Sequence, residues 1–311
     1  MTSRVAAIDC GTNSLRLLVA DVDPGSRSLT DVDRRMEIVR LGQGVDQTGR
    51  LAPLALDRTI AALRGYADIV ARSGAAAVRM VATSATRDAE NSAEFVRRVK
   101  QVLGVAPEVL TGDEEARLSF TGATRELAGA AGFPAPFLVT DIGGGSTEFV
   151  LGDEGGPHAA ISVDIGCVRM TERHLRGDPP AAAEVAAATA DVDAALDRVA
   201  AAFRAADART LVGLAGSVTT VAGIAMGLPV YDPARIHHSR VSAAQVHVVT
   251  SGLLAQAHEQ RARIGLMHPG RVDVIGGGAL ILDRIMTRFG FAEALVSEHD
   301  ILDGIAWSLG T

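Results

Sequence analysis

The chain has 311 residues, 48% of them hydrophobic, and a formal net charge of −7 at pH 7. That length suits two domains with a core each, and an acidic total with no basic run and no aromatic platform excludes general nucleic-acid binding. Lysine occurs once, at Lys100 on a polar helix face, which excludes a Walker A loop and a pyridoxal site and leaves arginine and backbone amides to hold any polyanion.

The N-terminus enters a strand by Val5 with no basic, then apolar, leader before it, and no later apolar run is long enough to span a bilayer. A soluble cytoplasmic protein with no membrane partner is expected. Cys10 and Cys167 are too few for a structural zinc and read as small buried hydrophobes.

In chain order, Val5 to Ile8 runs into Asp9-Cys10-Gly11-Thr12-Asn13-Ser14 and out through Leu15 to Val19, a strand, a glycine loop and a strand. A third strand is expected over Met36 to Leu41. A helix follows from about Pro53, with Leu56, Ile60, Leu63, Ala67 and Val70 on one buried face. Val78 to Val81 reads as a short strand, which puts Arg87 in a loop at its end, the edge where open α/β sheets bind ligands. Taken alone, without the phosphate loops, Arg87 reads better as a surface ion pair. Asn91 with Glu94 suggests a capping box and Gly104 a helix stop. The next helix enters after Gly112 with Glu114 and Glu115 in its first turn, acids that suit the helix dipole unless one of them serves as a base. Gly122 and Ala123 near its end allow close approach, and the glycine-rich start Val274 to Leu282 is the expected crossing partner at the domain junction.

Asp141-Ile142-Gly143-Gly144-Gly145-Ser146-Thr147-Glu148 lies between two apolar strands, Phe137 to Val139 and Phe149 to Leu151. Successive glycines leave backbone N–H groups uncovered by Cβ atoms, so an anion can sit against them. The acids at either end suit a divalent cation or an oriented water. A plain hairpin explains the same residues, and what favours the phosphate loop is the copy of the device at Asp9 to Ser14, which implies two related half-domains. Beyond it come a strand over Ala160 to Val163, a helix from about Ala181 with Val185, Val192, Leu196, Val199 and Phe203 on one stripe, and a strand from Leu211 into a glycine and hydroxyl loop, Gly213 to Thr220.

Five stretches together, Asp9 to Ser14, Thr83 to Arg87, Gly112 to Arg117, Asp141 to Glu148 and Gly213 to Thr220, make the sequence resemble the Ppx/GppA family of exopolyphosphatases and guanosine pentaphosphate phosphohydrolases. The resemblance covers essentially the whole chain and implies an α/β fold of two ribonuclease-H-like domains, as in actin-like ATPases, with a phosphate-binding cleft between them. Domain I is expected over residues 1–119, joined by the C-terminal helix within 299–311, and domain II over residues 120–298. By similarity, Gly11, Thr12, Asn13, Ser14 and Arg87 contact phosphate with Gly143, Gly144, Gly145 and Ser146. Glu115 matches the catalytic glutamate, Glu148 shares its catalytic role, and Asp141, Glu148 and Asp9 are the candidate metal ligands for Mg²⁺. Longer members carry a helical C-terminal extension, so the resemblance is to the short, two-domain form, and a homodimer is implied.

The expected chemistry is metal-dependent hydrolysis of the terminal phosphoanhydride of inorganic polyphosphate, with Glu115 taking a proton from water attacking in line. Guanosine pentaphosphate is the alternative substrate. A small-molecule kinase of the same superfamily and a non-catalytic polyphosphate or alarmone sensor are further readings. Three arginine groups, Arg169, Arg173 and Arg176, then Arg235 and Arg240 with His237 and His238, then Arg261, Arg263 and Arg271, suggest a track for a linear polyanion. With one tryptophan and two tyrosines, no aromatic cluster is available to stack a guanine.

Overall fold

The computed structural model describes residues 2–26, 28–127 and 132–310, with the side chain of Ala206 outside the description. The chain divides into two compact units, Met1–Gly122 with Ile301–Thr311, and Ala123–Asp300.

In the first unit, β1 (Ser3–Cys10), β2 (Ser14–Asp23) and β3 (Ser28–Ile38) form an antiparallel meander, and α1 (Val45–Thr48) and α2 (Pro53–Ser73) lead to β4 (Ala77–Ala82). The third strand is therefore displaced from the expected Met36 to Leu41. It pairs along the whole of β2, from Ser14 opposite Ile38 to Asp23 opposite Ser28 with a register shift between Val19 and Ala20, and its start escapes the sequence because a polar strand on a sheet edge carries no hydrophobic signal of its own. After β4 come α3 (Ser84–Asp88), α4 (Ser92–Leu103), β5 (Glu108–Val109) and α5 (Gly112–Thr124). The sheet order is β3-β2-β1-β4-β5, with β4 parallel to β1 and β5 parallel to β4.

β1 is buried on both faces, which is why it reads as a continuous apolar run. Ala6, Ile8 and Cys10 enter one core with Leu56, Ile60, Leu63 and Phe95 of α2 and α4. Val5 and Ala7 enter the other, against Ile301, Leu302, Ile305 and Trp307 of the C-terminal helix. The period of two along the strand thus assigns alternate residues to opposite helical layers.

The second unit repeats this plan. β6 (Phe137–Ile142), β7 (Thr147–Asp153) and β8 (Gly156–Val163) form the meander, followed by α6 (Cys167–Arg173) and α7 (Ala182–Ala202). β9 (Thr210–Leu214) runs parallel to β6, and α8 (Ala215–Ala225) and α9 (Pro233–Ile236) follow. β10 (Arg240–Ser242), α10 (Ala243–Ala255), α11 (His258–Ala262) and α12 (Ile275–Phe289) lead to β11 (Glu293–Val296), which is parallel to β9. The order β10-β11-β9-β6-β7-β8, read in reverse, is that of the first sheet with one strand added. Two copies of a three-strand meander extended by parallel strands, with helices on the faces, are the ribonuclease-H-like fold expected from the sequence. α13 (Ile301–Leu309) closes the first unit.

Three local expectations differ from what is observed. Arg87 lies in the last turn of α3, and Gly216 to Thr220 lie in the first turns of α8, so both expected loops are helical. β9 passes into α8 with no loop because Ala215 takes φ +67°, a left-handed conformation that turns the chain within one residue. Asn91 makes no side-chain cap on α4; its amide instead bridges the backbone N–H and C=O of Leu51, at 2.8 and 3.0 Å. No helix among the described residues is long and apolar enough to cross a membrane.

Candidate functional site

In the first unit the turn from β1 to β2 is closed by the amide of Gly11 donating to Ser14 O at 3.0 Å. The carbonyl of Asn13 accepts the amides of Val39 and Arg40, and that of Thr12 accepts the amide of Gly42. Thr12 Oγ1 meets Ser84 Oγ at 2.8 Å in the interior, tying this loop to the start of α3. Loop and helix are thereby fixed to one another, and Arg87 hangs one turn further along.

Arg87 and Glu115, 28 positions apart, are brought together. Arg87 Nη1 donates to Glu115 Oε2 at 3.2 Å and to the carbonyl of Leu110 at 3.0 Å, and Glu115 is 8% exposed. Glu114 has a different function. Its Oε2 accepts the amide and hydroxyl of Thr111 at 2.9 and 2.8 Å, and its own amide donates to Thr111 Oγ1, a capping box at the start of α5. These bonds hold the Glu114 carboxyl below the usual range. One acid starts the helix, and its neighbour, about 100° round it, faces Arg87.

α5 is positioned from behind by α13. A Cβ on Gly304 would come within 2.0 Å of the carbonyl of Leu118, so only glycine admits this crossing. α13 is itself held by Asp303, 1% exposed, which accepts Arg34 Nη2 at 2.5 Å. Asp9, the expected third metal ligand, has its Oδ2 engaged by Arg16 at 2.6 and 3.0 Å, a partner the sequence analysis did not single out.

In the second unit the loop Gly143 to Ser146 is closed by the amide of Gly143 donating to Ser146 O at 3.1 Å. Its carbonyls turn to the first turn of α6. Gly143 O accepts Cys167 N, Gly144 O accepts the amides of Val168 and Arg169, and Gly145 O accepts Arg169 Nε at 2.6 Å. In a trans peptide the N–H points opposite to the C=O, so the amides of Gly144, Gly145 and Ser146 all point away from α6, side by side. Donors turned to one side in this way suit an anion. The packing that orients it requires Gly166, where a Cβ would come 2.4 Å from Gly144 C and O.

Asp141 and Glu148 stand directly opposite each other at the mouth of this loop, 7% and 1% exposed. Ser162 Oγ donates to Glu148 Oε1 at 2.7 Å. Two buried carboxylates on facing strand positions repel one another and favour a shared cation, and an all-oxygen pair suits a hard ion such as magnesium.

Arg271, 54 positions from Ser217, reaches the start of α8. Its Nη1 donates to Thr220 Oγ1 at 3.1 Å, and a Cβ on Gly216 would meet its guanidinium at 2.3 Å. Gly278 of α12 packs against Ser217 and Cys167, Gly277 against Cys167 and Thr171, and Gly276 against Leu254, so the glycines expected to serve a domain junction lie against α6, α8 and α10. Burial pushes the Cys167 thiol up, opposed by a hydrogen bond with Ser217 and by Arg271. No local pattern near Arg271 signals these contacts; only the fold brings it there. Of the other arginines in the expected track, Arg173 pairs with Asp191 at 2.7 Å, Arg240 with Glu293, and Arg261, 7% exposed, binds Asp178 and the carbonyls of Val272 and Gln256.

Residues 18–309 match the Ppx/GppA phosphatase family. The chain belongs to that family. This Ppx/GppA chain is 52% identical over 318 residues to exopolyphosphatase 2 of Mycobacterium tuberculosis, a match covering 99% of this chain and 98% of the relative. It superposes with a TM-score of 0.95 on the crystal structure of an exopolyphosphatase-like protein, at 42% identity over 99% of this chain and 98% of that one. The Aquifex aeolicus PPX-GPPA enzyme matches with a TM-score of 0.82 and 31% identity, over 99% and 100% of the two chains.

Proposed function

We propose that the protein is an exopolyphosphatase that hydrolyses the terminal phosphoanhydride of inorganic polyphosphate and releases orthophosphate. The observation that carries the choice of substrate is the 52% identity, over nearly the full length of both chains, to a relative named exopolyphosphatase 2. The arginine track is the weaker support, because Arg173, Arg240 and Arg261 are already held by carboxylates and carbonyls.

Each residue has a task that its surroundings support. The amides of Gly144, Gly145 and Ser146 bind phosphoryl oxygens, as do the first loop, Gly11 to Ser14, and Arg87. Glu115 takes a proton from the attacking water, the water oxygen bonds to the terminal phosphorus, and the bridging P–O bond breaks. The remaining chain leaves one phosphate shorter. Arg87 donates to Glu115, and transfer of its guanidinium to a phosphoryl oxygen frees the carboxylate to act as base. Asp141 and Glu148 hold Mg²⁺, which when bound neutralises charge on the phosphoryl oxygens. Asp9, already engaged by Arg16, supports the first loop and is the least suited of the three acids to bind the ion directly. A cytoplasmic homodimer belongs to the same reading.

The test is phosphate release from polyphosphates of defined length beside guanosine pentaphosphate, with magnesium and with excess chelator. Faster release from polyphosphate, abolished by the chelator, is expected. Faster turnover of guanosine pentaphosphate overturns the substrate, and full activity in chelator overturns the metal.

A further inference from the structure

The second unit holds a group of metal-ligating side chains that the phosphatase reading does not use. Glu126 follows α5, His237 caps the C-terminus of α9, and His299 follows β11. Their donor atoms all lie within 4.8 Å of one another. Glu126 Oε2 is 3.3 Å from His237 Nε2 and 3.3 Å from His299 Nδ1.

Those distances are informative. A charge-assisted N–H···O⁻ bond settles at about 2.7–2.9 Å, so two contacts of 3.3 Å converging on one oxygen are long for hydrogen bonds. Ligands at about 2.0–2.2 Å from a tetrahedral zinc, however, are separated by about 3.4 Å along each edge. The spacing fits atoms that share a cation better than atoms that share protons.

The backbone around the group is fixed. His238 N donates to Val296 O at 2.7 Å and Val296 N to Ser239 O at 2.9 Å, which joins the segment carrying His237 to the segment leading to His299. Ser297 Oγ donates to His299 O and accepts His299 N, at 2.8 and 3.0 Å. The rings of His237 and His238 stack at 3.7 Å, and those of His237 and His299 lie at 4.6 Å. Glu126 is the most accessible of the three ligands, its side chain 47% exposed, so solvent can reach the position of a fourth ligand.

We propose that Glu126, His237 and His299 bind one divalent transition-metal cation of borderline softness, such as Zn²⁺ or Co²⁺, at a site separate from the Asp141 and Glu148 pair. Two imidazoles and one carboxylate, completed by water, form a donor set that such ions take and that magnesium does not. A glutamate carboxyl is ordinarily ionised at neutral pH, which is the form the site requires. One feature limits affinity. His237 Nδ1 accepts the Glu298 amide at 3.1 Å, so the proton now on Nε2 must move to Nδ1 when a cation binds, and that amide loses its acceptor. A readily exchangeable ion is therefore expected rather than a permanent structural zinc.

The experiment is a titration of the full chain with Co²⁺ in excess Mg²⁺, followed by visible absorption and calorimetry. Magnesium occupies oxygen sites, so a d–d band of tetrahedral intensity at one equivalent reports the nitrogen site. Glu126→Gln and His299→Asn should each weaken binding by more than the roughly 10–100-fold that loss of a supporting group causes, while Asp141→Asn leaves the band in place. Absence of a band in the wild type overturns the proposal. Retention of the band in both variants overturns it as well, since the ion then sits elsewhere. Should His299→Asn fail to fold, Glu126→Gln, in an exposed turn, decides alone.

Discussion

At the scale of single residues, the chemistry depends on which of two adjacent acids faces Arg87. Glu114 is spent on Thr111 in the capping box, and Glu115 is buried beside the guanidinium. Gln keeps the shape of Glu but is a poor proton acceptor, so Glu115→Gln should lower kcat by roughly 10²–10⁴-fold with KM within a few-fold. Glu114→Gln should leave kcat unchanged and lower Tm slightly, since it weakens only the cap. Steady-state kinetics and thermal melts of both variants separate the two roles, and equal losses of kcat would remove the assignment. Asp141→Asn should raise the magnesium concentration needed for half-maximal rate; unchanged demand would reduce Asp141 to bracing its loop.

Two helix contacts position the site at the scale of elements, and each rests on one hydrogen atom in place of a side chain. A methyl on Gly166 would drive α6 off the carbonyls of the loop Gly143 to Ser146 and so change the direction of the amides of Gly144, Gly145 and Ser146. Gly166→Ala should raise KM for polyphosphate and destabilise by about 1–3 kcal/mol, the usual cost of forced overpacking. A methyl on Gly304 meets the backbone of α5 instead, so Gly304→Ala should lower kcat through displacement of Glu115. The contrast between a KM effect and a kcat effect is the measurement. The pair Arg34 and Asp303 holds α13 in the same unit, and Asp303→Asn should cost about 1.5–3 kcal/mol in urea denaturation, the range for hydrogen bonds to charged groups.

At the scale of the whole molecule, one half-buried acid should make stability depend on pH. Glu298 has its carboxyl pKa raised, first by burial, with Asp300 adding to the rise and the hydrogen bond from Tyr231 at 2.6 Å opposing it. A raised carboxyl favours the protonated form in the fold, so its contribution to stability is complete below about pH 4, the unfolded value, and drains as pH rises through the folded value. Glu298→Gln removes that loss. Its stability relative to wild type should therefore climb from pH 4 to pH 7.5, read from urea midpoints; a flat difference would mean that burial does not govern this carboxyl.

Much of this was legible in the sequence because it is written locally. The paired Asp-x-Gly loops, the apolar run of β1 and the 3.6-residue stripe of α2 each depend on residues close in the chain; the loops and β1 appear as expected, and the stripe holds for Leu56, Ile60 and Leu63, while Ala67 and Val70 are only half-buried and Tyr66 takes the buried place. The repeat of the device announced the repeat of the fold, which the matching strand orders of the two sheets show. What the sequence could not determine were partners set by long closures of the chain. Ser84 on Thr12, Arg16 on Asp9, Arg271 on Thr220 and Gly304 on Leu118 are neighbours only after the sheets form. The same holds for Asn91, where local pattern favoured a cap and Leu51, 40 positions back, offered its amide two backbone partners instead of one. Local pattern determines which elements form, since propensity and periodicity act over a few residues. Only tertiary packing decides which polar group each side chain meets, since a buried donor takes whatever acceptor the fold brings within about 3 Å.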